Sequence, residues 1–180
     1  MRPGSLPDPA VTTRRALLLG GVAAAVTACA DPTQAQNRGT ASAAERRFAD
    51  SPFRRISDAE WRRRLPADAY QVLRHEGTER AGASPVNDEH RRGTFVCRGC
   101  DLPLFRSEWK FDSGTGWPSF FRVIEENVGR KVDRSIPLMI RTEYHCARCL
   151  GHHGHVFDDG PRPTGLRYCN NGVELKFVPA

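Results

Sequence analysis

Two cysteine pairs constrain this chain more than anything else in it: Cys97-Arg98-Gly99-Cys100 and Cys146-Ala147-Arg148-Cys149. Four thiolates in two CxxC knuckles suit a tetrahedral ion, zinc above all, with each knuckle wrapping one side of it. Forty-five residues separate the pairs, against about 15–20 in a compact ribbon. The metal therefore joins two hairpins distant in sequence and closes a large loop. Such a site supplies on the order of 10 kcal/mol of folding free energy. Two other uses of the cysteines stay open at this stage. An exported protein can form disulfides, and a CxxC can be a redox dithiol at a helix start. Asp101-Leu102-Pro103, which follows the first knuckle, does not read as such a helix.

Export matters because the chain opens on a leader-like segment. Arg14-Arg15 precede an eleven-residue stretch, Ala16 to Val26, that is apolar or glycine throughout. That is too short for a membrane span, which needs about 20 residues. Arginines, a short apolar core and then small residues form the layout of a signal peptide, and the arginine pair resembles the Tat type. Residues 1–30 are thus read as an export signal. Val26-Thr27-Ala28-Cys29 resembles a lipobox, which would lipidate Cys29; Ala28-Cys29-Ala30 equally fits ordinary cleavage. Tat-type export carries folded proteins and so suits a site loaded with metal beforehand. The expected location is the periplasm or cell envelope, with a lipid anchor if Cys29 is modified.

The formal charge of +6 drops to +4 once Arg2, Arg14, Arg15 and Asp8 are set aside with the leader. No tight basic run with interleaved aromatics occurs, so nucleic acid is not an expected partner. Residues 31–52 are rich in Ala, Thr, Gln, Asn and Arg with few large apolar side chains, and read as a flexible tether. The folded domain is expected over 53–180. Ser57-Asp58-Ala59-Glu60 is a capping box flanked by Ile56 and Trp61 at hydrophobic-staple positions. Pro66 interrupts the helix or starts a second one, and Gly77 suits its C-terminal left-handed position. After Gly93 come short β-branched or aromatic runs bounded by turn residues: 94–96, 120–124, 138–144, 154–157 and 173–177. The last alternates, with Val173, Leu175 and Phe177 inward and Glu174 and Lys176 outward. Two short helices leading into a mainly antiparallel β domain are the expected architecture.

With Cys29 in the leader and four cysteines at the metal, Cys169 remains. A lone cysteine is often only a packing residue. His152 and His155, close behind the second knuckle in Gly151-His152-His153-Gly154-His155, make chemistry a real alternative, since a neighbouring histidine stabilises a thiolate or supplies protons. A histidine could also be a metal ligand, but four cysteines already fill a closed site.

Three strings decide among these uses. Phe111-Asp112-Ser113-Gly114-Thr115-Gly116-Trp117-Pro118-Ser119-Phe120, then Gly154-His155-Val156-Phe157-Asp158-Asp159-Gly160-Pro161, then Pro163-Thr164-Gly165-Leu166-Arg167-Tyr168-Cys169 closely resemble the methionine-R-sulfoxide reductase B family. The resemblance runs from about Ile56 to Pro179, in order and with both knuckles. It implies two packed antiparallel sheets with N-terminal helices against them (an Mss4-like β-tent) and one structural zinc on the far side from the thiol, held by Cys97, Cys100, Cys146 and Cys149. It also implies that Cys169 attacks a sulfoxide sulfur and becomes a sulfenic acid. His152 and His155 would organise water and protonate the departing oxygen, with Asn171 bonding nearby and Trp117 packing on the substrate methyl. A sulfoxide oxygen leaves poorly until protonated, so a general acid beside the thiolate makes physical sense, and an aromatic face suits an S-methyl group. The partners implied are oxidised proteins and a thioredoxin-like or other thiol reductant, acting on a monomer.

The chain departs from the family in places. Many members carry a cysteine where Thr115 stands and use it to resolve the sulfenic acid; Thr115 cannot, which implies direct reduction of Cys169 by an external thiol. His153 and Leu150 replace the commoner Leu and Gly, and Ala81-Gly82-Ala83-Ser84-Pro85 replaces a more usual Pro-Phe segment. A non-enzymatic zinc-ribbon module would explain the four cysteines and the basic charge, but not Cys169, the histidine pair or the leader.

Overall fold

A computed structural model describes residues 41–180. The leader read over 1–30, Cys29 with it, and the tether as far as residue 40 lie outside the described residues. Among the described residues, no helix is long and apolar enough to cross a membrane.

The first element among the described residues is α1, Ala43–Arg47, inside the segment expected to be tether. Ser42 and Glu45 form a complete capping box, and the helix is tied down by its charged face. Glu45 Oε1 lies 3.1 Å from His145 Nε2, and Arg47 donates to Asn127 Oδ1 at 2.5 Å. Composition suggested a tether because this helix has no apolar stripe; its docking is polar. The described residues thus include a docked helix N-terminal to Phe53.

Helix α2, Asp58–Arg64, starts at Ser57 as expected, but only half of its capping box forms. Ser57 Oγ accepts from the Glu60 amide, whereas the Glu60 carboxylate turns to Arg63 and Arg64. Helix α3, Ala67–His75, takes Pro66 as its N-cap. The left-handed residue at its end is Glu76, φ 55°, one position before the expected Gly77. Gly77 serves close approach instead: its amide meets the Gln71 carbonyl at 3.1 Å, and a Cβ there would crowd the same oxygen.

Nine strands follow, in two antiparallel sheets. β1 (Gly93–Cys97), β2 (Pro103–Arg106) and β9 (Leu175–Pro179) form a small sheet in the order β2-β1-β9. β3 (Lys110–Phe111), β4 (Ser119–Phe120), β5 (Val128–Ile136), β6 (Met139–Cys146), β7 (His152–Phe157) and β8 (Arg167–Asn170) form the large one, in the order β3-β4-β8-β7-β6-β5. Aromatic rings fill the space between them. Phe105 of the small sheet stacks on Phe120 of the large one with centroids 4.2 Å apart and meets Tyr144 and Tyr168 edge-on. Phe95 adds a second edge contact to Phe120 at 5.0 Å. Such ring pairs contribute roughly 0.5–1.5 kcal/mol each beyond simple burial. Trp61, Tyr70 and Leu73 bring the helices into the same core.

One alternation differs from expectation. Glu174, expected to point outward, is fully buried. Gly172–Glu174 form a 3-10 turn before β9 begins, and three residues per turn do not keep a two-residue alternation. The carboxylate meets His153, also fully buried, with Nδ1 and Oε1 3.2 Å apart. Burial drives His153 well down, and burial together with Glu79 drives Glu174 well up, so the pair is held neutral. Both imidazole nitrogens and Glu174 Oε2 lack an aligned hydrogen-bond partner. Replacing one member should therefore strand the other: Glu174→Ala is expected to lower stability by about 1–3 kcal/mol. His153→Leu added to it should restore most of that loss, because an apolar pair carries no desolvation cost. Denaturant unfolding measures both; a double variant less stable than the single one would contradict this account.

Candidate active site and metal centre

The two knuckles converge. Cys97 and Cys100 close the end of β1, and Cys146 and Cys149 close the end of β6. All four are buried and their sulfurs lie within 4.8 Å of one another. Each knuckle turns the same way: the Asp101 amide reaches back to the Cys97 carbonyl at 2.8 Å, and the Leu150 amide to the Cys146 carbonyl at 2.9 Å. Asp101 and Leu150 both adopt φ 59° to complete those turns. Cross-knuckle sulfur pairs stand 3.6 Å (Cys97–Cys149) and 3.4 Å (Cys100–Cys146) apart. Disulfide sulfurs would be about 2.05 Å apart, whereas a tetrahedron with metal–sulfur bonds of about 2.3 Å has edges of about 3.8 Å. All four are free thiols, so the geometry fits a metal ion and not disulfides. Burial and the three neighbouring thiols push Cys97 well up, an effect that a cation at the cluster would oppose. Trp61 and Leu73 pack over the knuckles at Gly99 and Gly151.

Cys169 lies elsewhere, in the middle of the large sheet. Its strand β8 runs between β4 and β7, so its Cα faces Ser119 on one side and His155 on the other. Close packing of β7 on β8 requires Gly154, since a Cβ there would fall 1.9 Å from the Cys169 carbonyl oxygen. A cleft of ≈ 150 Å³ opens at this point and gathers Cys169, His152, His155, Asn171 and Trp117. These are the five residues the sequence singled out for chemistry or substrate contact. A larger cleft of ≈ 660 Å³ lies across Trp117 and Pro118, lined by Asn87, Glu89 and Asp112 among others, and contains neither Cys169 nor the histidine pair.

Each histidine of β7 meets a carboxylate of the same sheet, Glu143 from the adjacent β6 for His152 and Asp133 from β5, one strand further, for His155. His155 Nε2 lies 2.8 Å from Asp133 Oδ2, a contact shared with Arg141 at 2.6 Å. Burial, only partly opposed by Asp133, pushes His155 below its ordinary value. Asp133 stays ionised: against the cost of burial, Ser135, His155 and Arg141 hold it far below the usual range. His152 is buried with Nδ1 3.1 Å from Glu143 Oε1, a close contact without the alignment of a hydrogen bond. Burial raises Glu143, but His152 and Lys131 outweigh it and keep it below the carboxylate norm. The two rings stand 5.6 Å apart. Asp133, Glu143 and Arg141 went unnoticed in the sequence because no spacing marks them; a carboxylate two strands away becomes visible only with the register.

The thiol has opposing influences. Burial raises its pKa, while the Arg167 guanidinium and hydrogen bonds from Thr115 and Arg167 lower it, with a net upward result. Arg167 is in turn fixed by a two-point contact with Asp159, at 2.7 and 2.8 Å. Thr115 ends a chain of hydroxyls: its Oγ1 is 2.8 Å from Ser113 Oγ, which is 2.8 Å from buried Ser119 Oγ. Trp117 is braced by its indole N–H, which donates to the Glu79 carbonyl at 3.0 Å. Asn171 uses its amide structurally: Oδ1 accepts the Glu79 N–H at 2.9 Å and Nδ2 donates to the His153 carbonyl at 3.3 Å. It lines the cleft while tying the 78–80 segment to β7.

Comparison with known proteins adds to this geometry. The family model described as the SelR domain matches residues 65–179. The peptide methionine sulfoxide reductase MsrB of Thiobacillus denitrificans is 49% identical over 123 residues, 68% of this chain and 93% of that protein. The chloroplastic peptide methionine sulfoxide reductase B1 of Oryza sativa subsp. japonica is 53% identical over 122 residues, 68% of this chain; the match spans only 57% of the rice protein. Among solved structures, the Mis18 "Yippee-like" domain aligns with TM-score 0.41 and 19% identity, over 50% of this chain and 98% of that one.

Two outcomes follow from the geometry. Cys97→Ser should lower bound metal and resistance to denaturant together, measured by elemental analysis and unfolding; a metal-free wild type with paired cysteines in mass spectra would refute the centre. Thr115→Val should remove a hydrogen bond that favours the thiolate. Alkylation of Cys169 at fixed pH should then slow by about tenfold, and its midpoint should move to higher pH.

Proposed function

The chain belongs to the SelR-domain family of peptide methionine sulfoxide reductases B, oxidoreductases acting on methionine sulfoxide, and on that premise we propose that it reduces the R epimer in oxidised proteins through Cys169. The observation that carries this reading is one cleft holding Cys169, His152, His155 and Trp117. The Cys169 sulfur attacks the sulfoxide sulfur, the oxygen passes to Cys169 as a sulfenic acid, and methionine leaves as the thioether. The departing oxygen needs a proton before it transfers. His152, which lines the cleft with Glu143 at its Nδ1, supplies this proton, and His155, backed by Asp133, is the second donor. Arg167 and Thr115 favour the attacking thiolate against burial. Trp117, braced on Glu79, supplies the apolar wall for the methyl group that stereochemical choice requires.

Recycling then takes two external thiols, which return Cys169 to the thiol and leave as a disulfide and water. A thioredoxin-like protein or small thiols fill that role. The other described cysteines are all in the metal cluster, and Thr115 offers only a hydroxyl. Zinc held by Cys97, Cys100, Cys146 and Cys149 serves the fold, because four thiolates leave no position for substrate. The leader motif supports a role in protein repair in the cell envelope, with an anchor at Cys29 or cleavage after Ala30.

Peptides carrying each sulfoxide epimer test the assignment. Turnover of the R form alone, abolished by Cys169→Ser, is expected; activity surviving that substitution would remove Cys169 from the chemistry. Trapping the oxidised enzyme should find sulfenic acid on Cys169, and an intramolecular disulfide there would refute the single-thiol cycle.

A further inference from the structure

The β5–β6 hairpin runs past the sheet it belongs to. β6 pairs with β7 only from Thr142, opposite Val156, to His145, whereas its pairing with β5 continues to Ile136 opposite Met139. Met139, Ile140 and Arg141 therefore have a strand on one side and none on the other. The tip is apolar where solvent reaches it: Leu138 is fully exposed, Ile140 is 67% exposed, and Val132 and Met139 are each about half exposed. Proteins usually blunt a free strand edge, and an apolar patch standing in water marks a contact surface.

The surface leads to the thiol. A groove of ≈ 660 Å³ lies along this edge, between Met139, Ile140 and Arg141 on one bank and Val156, Phe157 and Leu166 on the other. Arg141 and Phe157 also line the cleft around Cys169, so groove and cleft share a wall. The bank at Arg141 is firm, since its guanidinium is locked on Asp133, the partner of His155.

We propose that this groove is a docking track for an extended, apolar segment of the oxidised polypeptide, which adds to the free edge of β6 and delivers its sulfoxide to Cys169. The inference rests on the reductase reading above and specifies how the polypeptide, as opposed to the side chain, is held. Main-chain hydrogen bonds along an open edge bind without regard to sequence, and apolar contacts select for segments that are buried in folded proteins. The occupant is thus an unfolded stretch with apolar residues beside the sulfoxide, since a folded surface presents neither feature. The groove is continuous with the cleft, which favours the polypeptide over a lipid surface or a second copy of the chain.

The test compares two substrates in the full-length enzyme: an apolar peptide carrying one methionine-R-sulfoxide, and the same sulfoxide as a capped single residue. The variant is Leu138→Ser/Met139→Ser/Ile140→Ser, whose side chains point into water and leave the core untouched. KM for the peptide should rise about tenfold with kcat unchanged, and both constants for the capped residue should stay as in wild type. Equal losses on both substrates, or none on the peptide, would overturn the track. Loss of binding to lipid vesicles, or of self-association, with peptide KM intact would also overturn it, assigning the tip to a membrane or to a second copy. Failure of the wild type to reduce either substrate would instead strike the reductase reading itself.

Discussion

Four buried thiols hold the two sheets in one arrangement. Cys97 and Cys100 end a strand of the small sheet, and Cys146 and Cys149 end a strand of the large one. Without a link there, the sheets share the aromatic layer around Phe105 and Phe120 and two N-terminal helices of modest length. With it, a 45-residue loop closes at a site where a bound metal ion would contribute folding energy directly. Trp61 and Leu73 seal the cluster, so the helices depend on it as it depends on them. The cleft around Cys169 inherits the result, because β6 and β7 lie on either side of the second knuckle and carry Glu143, His152 and His155.

The cleft works against its own burial. Enclosing a thiol makes its ionised form costly, and enclosing histidines makes theirs costly too. The structure answers with opposite charges close by: Arg167 two residues back on the same strand for Cys169, and Asp133 two strands away for His155, while Glu143 meets His152 from the adjacent strand. Each is fixed by a further partner, Asp159, Arg141 and Lys131 in turn. The sulfur is left mostly protonated at neutral pH, with a hydroxyl and a guanidinium ready to favour its ionisation. Thr115 therefore serves the sulfur through its hydroxyl, as an influence that favours the thiolate.

His153 and Glu174 show a polar pair accommodated by neutralisation in place of charge. They sit behind the cleft, where His153 also gives its carbonyl to Asn171. An apolar residue at His153 would remove the desolvation cost, and nothing in the structure explains why a histidine stands there.

The local features were legible in the sequence. The two knuckles, the N-terminus of α2, the β-rich texture after Gly93 and the ordered strings around Trp117, His155 and Cys169 depend on spacing along the chain, and spacing survives without coordinates. The five cleft residues were legible for the same reason, through resemblance. What the sequence left hidden is lateral. Glu174 reads as an outward strand residue until a 3-10 turn shifts the phase, and α1 reads as tether because polar contacts, not an apolar stripe, dock it. The pairing of Asp133 with His155, Glu143 with His152 and Thr115 with Cys169, and the open edge at Met139–Arg141, were decided only by tertiary structure. These depend on which strands lie side by side and in what register, and a slip of one residue would turn every one of those side chains to the other face of the sheet.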